Sequence, residues 1–134
     1  MIQRVDLGRD LDDLVRLKDR GPHTTEKEAQ ASFRKLAEFR DGGLFAANFS
    51  GSSGWERHTK GDEIVQILEG STRFDIIVDD KIETYELGAG ALLVVPQGCW
   101  HRFTSEDGVK VLTATPQTTQ HLHVDDPRTV SGAG

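Results

Sequence analysis

Short apolar or alternating runs follow one another along the second half of the chain, and turn-forming residues separate them. Runs of four to eight residues with this character are typical of β-strands. The glycine, proline, aspartate and serine residues between them have the chemistry of tight turns. The pattern predicts strands at 63–69, 72–78, 82–87, 91–95 and 109–115, separated by turns at 70–71, 79–81, 88–90, 96–98 and 106–108.

The first part of the chain has a different pattern. Residues 10–18 read DLDDLVRLK, with leucines at helical spacing, aspartates early and cations late. This order complements a helix dipole, so we predict a short helix that ends before Gly21-Pro22.

Residues 24–40 admit two interpretations. Phe33, Leu36 and Phe39 recur at three-residue steps, which a helix would explain. However, residues 40–43 read RDGG, a strong turn signal, and residues 44–49 then resemble a strand. We therefore favour a hairpin over part of this segment.

The length and the strand pattern together predict one domain with an all-β architecture. A chain of 134 residues is long enough to bury its own core. Many short strands at near-regular spacing indicate a sandwich or a small barrel. Within it we distinguish a leading segment (1–42), a barrel core (43–116) and an irregular C-terminal tail (117–134), whose last four residues, SGAG, we expect to be mobile.

Composition and charge narrow the class of partner. The chain is 36% hydrophobic and 28% charged, as in soluble globular proteins, and its net charge is −6. That charge argues against a nucleic-acid or anionic-membrane partner. The single cysteine, Cys99, excludes an intramolecular disulfide and a cysteine-based zinc cluster. Because the N-terminus also does not resemble a signal peptide, we predict a cytoplasmic protein.

Candidate chemistry is concentrated in the stretch GWERHTKGDE, residues 54–63. If residues 55–58 are extended, Glu56 and His58 project from one face. A turn at 59–62 would bring Glu63 beside them on the next strand. Further along, the turn at 96–98 returns the chain to a strand on which His101 and Phe103 share a face. Taken alone, His58 would be an ordinary residue of a charged hairpin.

The two stretches together resemble the paired motifs of the cupin superfamily. The second motif is matched by Gly90, Pro96, Gly98 and His101 at their usual spacing. The first is matched by His58, Glu63 and Gly70, with Glu56 where a histidine is usual, Gly51 one residue out of step, and Ser105 where the second motif often closes with asparagine. The resemblance implies a small antiparallel β-barrel, or jelly roll, of the cupin type with a short N-terminal helix.

Carried over by position, the resemblance implies that His58, Glu63 and His101 are metal ligands, with Glu56 as a fourth ligand or a base beside the metal. Two imidazoles with carboxylates suit a divalent transition metal, namely iron, manganese or zinc, with nickel also possible. The implied partners are a small-molecule ligand in the barrel and a second copy of the chain, as a homodimer.

Three functions are compatible with this resemblance. The first is a metal-dependent dioxygenase, isomerase or lyase acting on a small oxygen-rich molecule. The second is a non-catalytic cupin that binds a small molecule. The third is a metal-free isomerase in which two crowded carboxylates raise one pKa, so that Glu56 acts with a histidine as acid or base.

Other chemistry-bearing residues favour plainer interpretations. Cys99 is more typical of a small buried residue than of a reactive thiol. Trp55 and Trp100 should face away from the ligands, and His121 with His123 has ligand spacing in a segment that we expect to be irregular. Either Phe45, Ala47 and Phe49 or the opposite set should line the cavity, and the GAGA at 88–91 is not a phosphate loop, because no helix follows it.

Overall fold

The computed structural model describes residues 1–130, and in them strands far outnumber helices. The two helices are short, and a single 3-10 turn lies at Pro127–Thr129. All nine strands belong to one curled sheet. The elements are α1 (Leu7–Asp10), β1 (Leu17–Arg20), α2 (Glu26–Gln30), β2 (Phe33–Phe39), β3 (Gly42–Ser52), β4 (Trp55–His58), β5 (Glu63–Val78), β6 (Lys81–Gly88), β7 (Leu92–Val95), β8 (His101–Pro116) and β9 (Thr119–Leu122).

Strand β8 is the centre of the sheet. It pairs antiparallel with β3, β4 and β5, while β5 also pairs with β6 and β7. Strand β1 adds to β3 in parallel. The alternation of apolar and polar positions in these strands turns one face inward, and this confirms the predicted all-β, cupin-type barrel.

The interior is filled by the inward-facing apolar side chains of β3, β5 and β8. Burying each large side chain of this kind contributes about 1.5–3 kcal/mol relative to leaving it exposed. The most deeply buried members of this core are Phe49, Val65, Ile67, Phe74, Val95 of β7 and Val109.

Two of the predicted turns lie inside continuous strands. The runs 63–69 and 72–78 form the single strand β5, and β8 continues through the turn predicted at 106–108. The pairing of β5 with β8 shifts register near Gly70, whose φ is +77°, and Gly108 lies beside it at φ +114°. Glycines here let the paired strands bend without ending.

The predicted helix at 10–18 is wrong in position, although a short N-terminal helix exists. Helix α1 ends at Asp10, and residues 17–20 form β1. Leu11 and Leu14 pack with Ala46, and Leu17 lies opposite Phe49 in the sheet. The leucines recur every three residues because the chain follows the barrel surface, so tertiary packing overrides the helical spacing.

The favoured hairpin forms over part of residues 24–40, whereas the helical interpretation of Phe33, Leu36 and Phe39 is wrong, because all three lie in strand β2 and the helix of this segment, α2, ends before them. Helix α2 begins with a capping box in which Thr25 and Glu28 exchange hydrogen bonds. Strand β2 then forms the expected hairpin with β3, and Arg40 in the turn has φ +52°. Partner strand β3 favours the extended form of 33–39.

The segment after Pro116 is more regular than predicted. Residues 119–122 form β9, which pairs antiparallel with β4. Period-two patterning is weak here because β9 has one intermediate residue at each end and exposed residues between them. Residues 131–134, the SGAG predicted to be mobile, lie outside the described residues. Of the helices that are described, none is long and apolar enough to cross a membrane.

Candidate metal centre

Strands β4 and β8 place a carboxylate and two imidazoles side by side. Glu56 and His101 are directly opposite each other in the β4–β8 pair, and His58 projects from the same face of β4 as Glu56. The turn before β8 is tied to β4 because Gly98 N–H donates to the His58 carbonyl. Both histidines are buried, with His101 wholly inaccessible.

The ligand atoms of this group lie close together. Glu56, His58 and His101 each offer one atom within 4.8 Å of the other two. Glu63, at the start of β5, contacts both rings: its Oε2 is 3.2 Å from Nε2 of His58, and its Oε1 is 3.2 Å from Nε2 of His101. The structure therefore brings all four predicted site residues together.

Hydrogen bonds on the far side of each ring fix its orientation. The Nδ1 of His101 is 3.0 Å from the Cys99 carbonyl oxygen. A carbonyl can only accept, so this Nδ1 carries a hydrogen and a neutral ring has its lone pair on Nε2. The Nδ1 of His58 pairs with Thr119 Oγ1 at 3.0 Å. Such outer hydrogen bonds orient histidines that bind metals.

The inward-facing atoms fit a cation. Nε2 of His58, Nε2 of His101 and Oε1 of Glu63 are buried and have no hydrogen bond of acceptable geometry. A lone pair held near a carboxylate oxygen is unfavourable unless positive charge lies between them. With metal–ligand bonds of about 2.1 Å, neighbouring ligands at right angles are about 3 Å apart, close to the contacts observed. These residues can hold a divalent metal.

Glu63 remains ionised in this buried position. Burial alone would raise its pKa, but the close approach of His101 and His58 to its two oxygens outweighs burial and lowers the pKa to about 2. Thr115 Oγ1 also donates to Oε2 at 2.6 Å. The rise expected for one of two crowded carboxylates is therefore wrong for Glu63, because the imidazoles are nearer partners than Glu56. Burial lowers the pKa of His101, but Glu63 outweighs it, so the net shift is upward.

Glu56 has a different partner from Glu63. Its Oε1 lies 3.6 Å from Nη2 of Arg20, and both side chains are largely buried. Glu56 thus lies between the histidine pair and a cation of β1. This position is compatible with either role expected of it, as a ligand or as a base.

A cavity of about 390 Å³ opens onto the centre. Phe45, Ala47 and Phe49 of β3 belong to its wall, which supports the first of the two predicted sets, although Ala46 also contributes. The wall is mainly apolar, with polar side chains near the histidines. They include Arg20, Glu56, His58, Glu63, Thr113, Thr115, Thr119 and His121.

The other residues singled out in the sequence do not form part of the candidate metal centre. Burial raises the pKa of the half-buried Cys99 thiol, as do Asp79 and Asp62, so it is not an activated thiolate. Trp55 and Trp100 pack together outside the cavity. His121 lines the main cavity, whereas His123 lines a separate depression, so they do not form a second metal site. The next element after residues 88–91 is strand β7, not a helix.

Three functional side chains have no clear signal in the sequence. Thr115 and Thr119 support Glu63 and His58, but single threonines in strands are common. Arg20 reaches the cavity from β1, which the sequence pattern assigned to the end of a helix. Their roles arise only in the folded barrel, where each contacts a site residue that is distant from it in sequence.

The barrel, its cavity and the cluster of histidines and carboxylates are together typical of a cupin. Residues 46–115, just over half of the chain, match the family model described as "Cupin domain". The chain therefore belongs to the cupin family.

Three known proteins are similar to this chain. The chain is 45% identical over 49 residues to acireductone dioxygenase of Rhodopseudomonas palustris, a match covering 37% of this chain and 29% of that protein. A cupin-2 domain protein from Shewanella frigidimarina is 28% identical, with a TM-score of 0.51 over 64% of this chain and 80% of that one. A protein of unknown function from Streptococcus pyogenes is 19% identical, with a TM-score of 0.56 over 88% and 90% of the two chains. The chain thus spans less than a third of the length of the curated relative.

Proposed function

We propose that the protein is a divalent-metal-dependent cupin enzyme of the dioxygenase type, acting on a small oxygen-rich molecule in the barrel cavity. In this proposal His58, Glu63 and His101 are metal ligands. Glu56 is either the fourth ligand or the base beside the metal. The partial match to an acireductone dioxygenase favours dioxygen chemistry over the isomerase and lyase reactions that the cupin fold also supports.

One observation carries the proposal. Nε2 of His101 is wholly buried, has no acceptable hydrogen bond, and faces Glu63 while Nδ1 is occupied by a carbonyl. Nε2 of His58 is also buried without an acceptable hydrogen bond and faces the other oxygen of Glu63, while its Nδ1 pairs with the Thr119 hydroxyl. Natural proteins rarely leave three converging polar atoms without partners, and a bound cation would satisfy all three.

The donor set suits iron(II), manganese(II) or zinc(II), and nickel is also compatible. Such an ion, when bound, supplies a Lewis acid and open positions for substrate or dioxygen.

The protein's own residues orient the proposed metal ligands, keep water away from the centre and provide a proton acceptor. Thr115 and the Cys99 carbonyl fix Glu63 and His101, and Thr119 fixes His58. The phenylalanines of the cavity wall limit access of water to the centre. Glu56 is placed to accept a proton from a bound enol or acid, because its carboxylate lies within 4.8 Å of the ligand atoms of both histidines.

A second candidate function is favoured by the contact of Glu56 with Arg20. A carboxylate held by a guanidinium can transfer protons beside His101 without any metal, as a metal-free isomerase would. This candidate and a purely binding cupin make different predictions for metal content and turnover.

Elemental analysis of protein purified without chelator tests the metal site. We expect about one iron, manganese or zinc per chain, and its loss in His101→Ala, since that change removes a nitrogen ligand. His123→Ala is the control, because it makes the same change at a histidine that lines a separate depression and not the cluster. Oxygen uptake with an acireductone then tests the reaction type.

The outcomes separate the candidates. A parent protein that takes up no metal after supplementation with each of the three ions contradicts the proposal, as does metal retained in His101→Ala. Metal-independent turnover that Glu56→Gln abolishes would support the metal-free isomerase instead. If the protein binds one metal per chain but takes up no oxygen, the proposed metal site is supported and the dioxygenase assignment is contradicted for the substrate tested.

A further inference from the structure

Arg20 is a largely buried cation in the cavity wall, and it is not one of the proposed metal ligands. It is the last residue of β1, and its guanidinium lies over two phenylalanine rings, 4.6 Å from the centroid of Phe33 and 4.8 Å from that of Phe49. Its side chain is only 17% exposed. Two aromatic faces therefore fix the position of this charge.

The hydrogen-bonding capacity of Arg20 is largely unused by its described surroundings. Within residues 1–130, the one carboxylate in ion-pair range of Arg20 is that of Glu56, at 3.6 Å. That separation is too long for a hydrogen bond. A guanidinium has five N–H groups in a planar fork that matches a carboxylate, so donors remain for a ligand.

The other cations of the cavity wall are already engaged. Arg34 donates to the Asp10 carbonyl and to Asp13 Oδ1 at 2.6 and 2.7 Å. Lys35 forms an ion pair with Glu38 at 2.8 Å. Arg20 is thus the cation best placed to accept a new anionic partner inside the cavity.

The surroundings of Arg20 also indicate what such a partner looks like. Phe33, Phe45, Phe49 and Phe103 line the same cavity, which suits an aryl or alkyl body. Glu56 lies between Arg20 and the histidines, so an anion on Arg20 would be adjacent to the metal centre. A volume of about 390 Å³ is in the range of small-molecule sites.

We propose that Arg20 binds the carboxylate or enolate group of a small substrate with an apolar body and holds that group beside His58 and His101. The substrate anion replaces Glu56 as the partner of Arg20, and Glu56 is then released for proton transfer or metal binding. The catalytic meaning of this inference rests on the proposed function, whereas the anion binding itself requires only the cavity and Arg20.

Titration of the protein with benzoate and with benzamide tests this inference, because the two probes have nearly the same shape and differ in charge. Carbon-13-labelled phenylalanine reports binding by NMR through the rings of Phe33 and Phe49. The titrations are run on zinc-supplemented and on chelated protein. We expect the parent to prefer benzoate, and Arg20→Gln to weaken benzoate binding about tenfold while benzamide binding stays unchanged.

Arg34→Gln is the matched control, since it removes the same charge from the same cavity wall at a residue already engaged elsewhere. The inference is overturned if Arg20→Gln binds benzoate as the parent does, or if Arg34→Gln loses the preference equally. Should Arg20→Gln fail to fold, Arg20→Lys decides: it keeps the charge without the planar fork, so weaker benzoate binding supports the inference and unchanged binding refutes it.

Zinc content is measured on the same samples. If zinc is absent, and separate supplementation with iron and manganese also leaves the protein without metal, the proposed metal site is refuted, while the benzoate preference of the chelated protein still decides the role of Arg20. The two proposals can therefore fail separately.

Discussion

Glu63 shows how a single buried carboxylate is kept charged. It is 4% exposed, yet two imidazole nitrogens and the Thr115 hydroxyl surround its oxygens. Without these partners, burial would favour the protonated acid. The same three partners orient it for a cation, so in metal-free protein the ionisation of Glu63 is part of the stability of the fold.

The metal-free protein should therefore lose stability in acid through Glu63. Its pKa is about 2 in the folded protein and 4.5 in the reference state, so the contribution is fully present above pH 4.5 and declines as pH falls toward 2. The full effect is on the order of 3 kcal/mol. This contribution is measured by urea unfolding of the parent and of Glu63→Gln, both treated with a chelator, between pH 6 and pH 3.

The comparison with Glu63→Gln removes the effect of other carboxylates. Several exposed or half-buried aspartates and glutamates also have lowered pKa values, but they are present in both proteins. We expect the stability difference between parent and variant to shrink as the solution is acidified. A difference that stays constant down to pH 3 would contradict this account of Glu63.

The candidate ligands could be predicted from sequence because their spacing is a property of neighbouring strands. Glu56 and His58 share a face by simple alternation, and the glycine and proline turns around His101 fix its return. By contrast, Arg20 is distant in sequence from these residues and has no local pattern. Its role depends on the parallel pairing of β1 with β3, which sequence periodicity does not reveal.

At the scale of elements, the bend shared by β5 and β8 shapes the barrel. Gly70 has φ +77° and lies so close to Gly108 that a Cβ on Gly70 would collide with the Gly108 carbonyl oxygen. The sequence correctly marks these positions as irregular, but it reads them as turns. Glycine and serine are common to turns and to bends in paired strands, so composition alone cannot distinguish the two.

Gly70→Ala should accordingly destabilise the protein much more than Gly98→Ala. Gly98 has nearly the same backbone angle, φ +79°, but an added Cβ there would meet nothing within 4 Å. We expect about 1–2 kcal/mol for Gly98→Ala from backbone strain alone, and at least about 3 kcal/mol for Gly70→Ala. Urea denaturation of both variants measures the difference, and equal losses would show that the close approach to β8 is unimportant.

At the scale of the whole molecule, the C-terminal segment is part of the barrel. Strand β9 pairs along the full length of β4, and Thr119 contacts His58. Beyond it, the Asp125 carbonyl accepts a hydrogen bond from the Trp55 indole, and Leu122 packs against the same ring cluster. The predicted irregular tail instead covers one side of the strand that bears Glu56 and His58.

Removing residues 119–134 should therefore weaken both stability and metal binding. The deletion uncovers Trp55 and removes the Thr119 contact with His58, and we expect a loss of roughly 3 kcal/mol or more from exposed apolar surface. Thermal unfolding followed by circular dichroism, with metal content, measures the effect. A chain ending at residue 130 is the control, because it keeps every described contact. Equal melting temperatures for the two truncated chains would contradict the role given to β9.

The overall architecture was predictable, whereas its closure was not. Regular short runs and two spaced motifs indicate the barrel, and the structure confirms that class. Strands β1 and β9 extend the sheet by pairing with β3 and β4, but their sequence patterns resemble a helix and a loop. The expected homodimer and the cytoplasmic location remain predictions.

The packing of the two tryptophans has a practical consequence. Trp55 precedes Glu56 in the chain and Trp100 precedes His101, and both indoles lie in one cluster behind the strands that carry these residues. They are the only tryptophans in the sequence. The tryptophan fluorescence of the protein therefore arises beside the centre, and we expect its intensity to change when the site is occupied, so that binding can be followed in real time without a label.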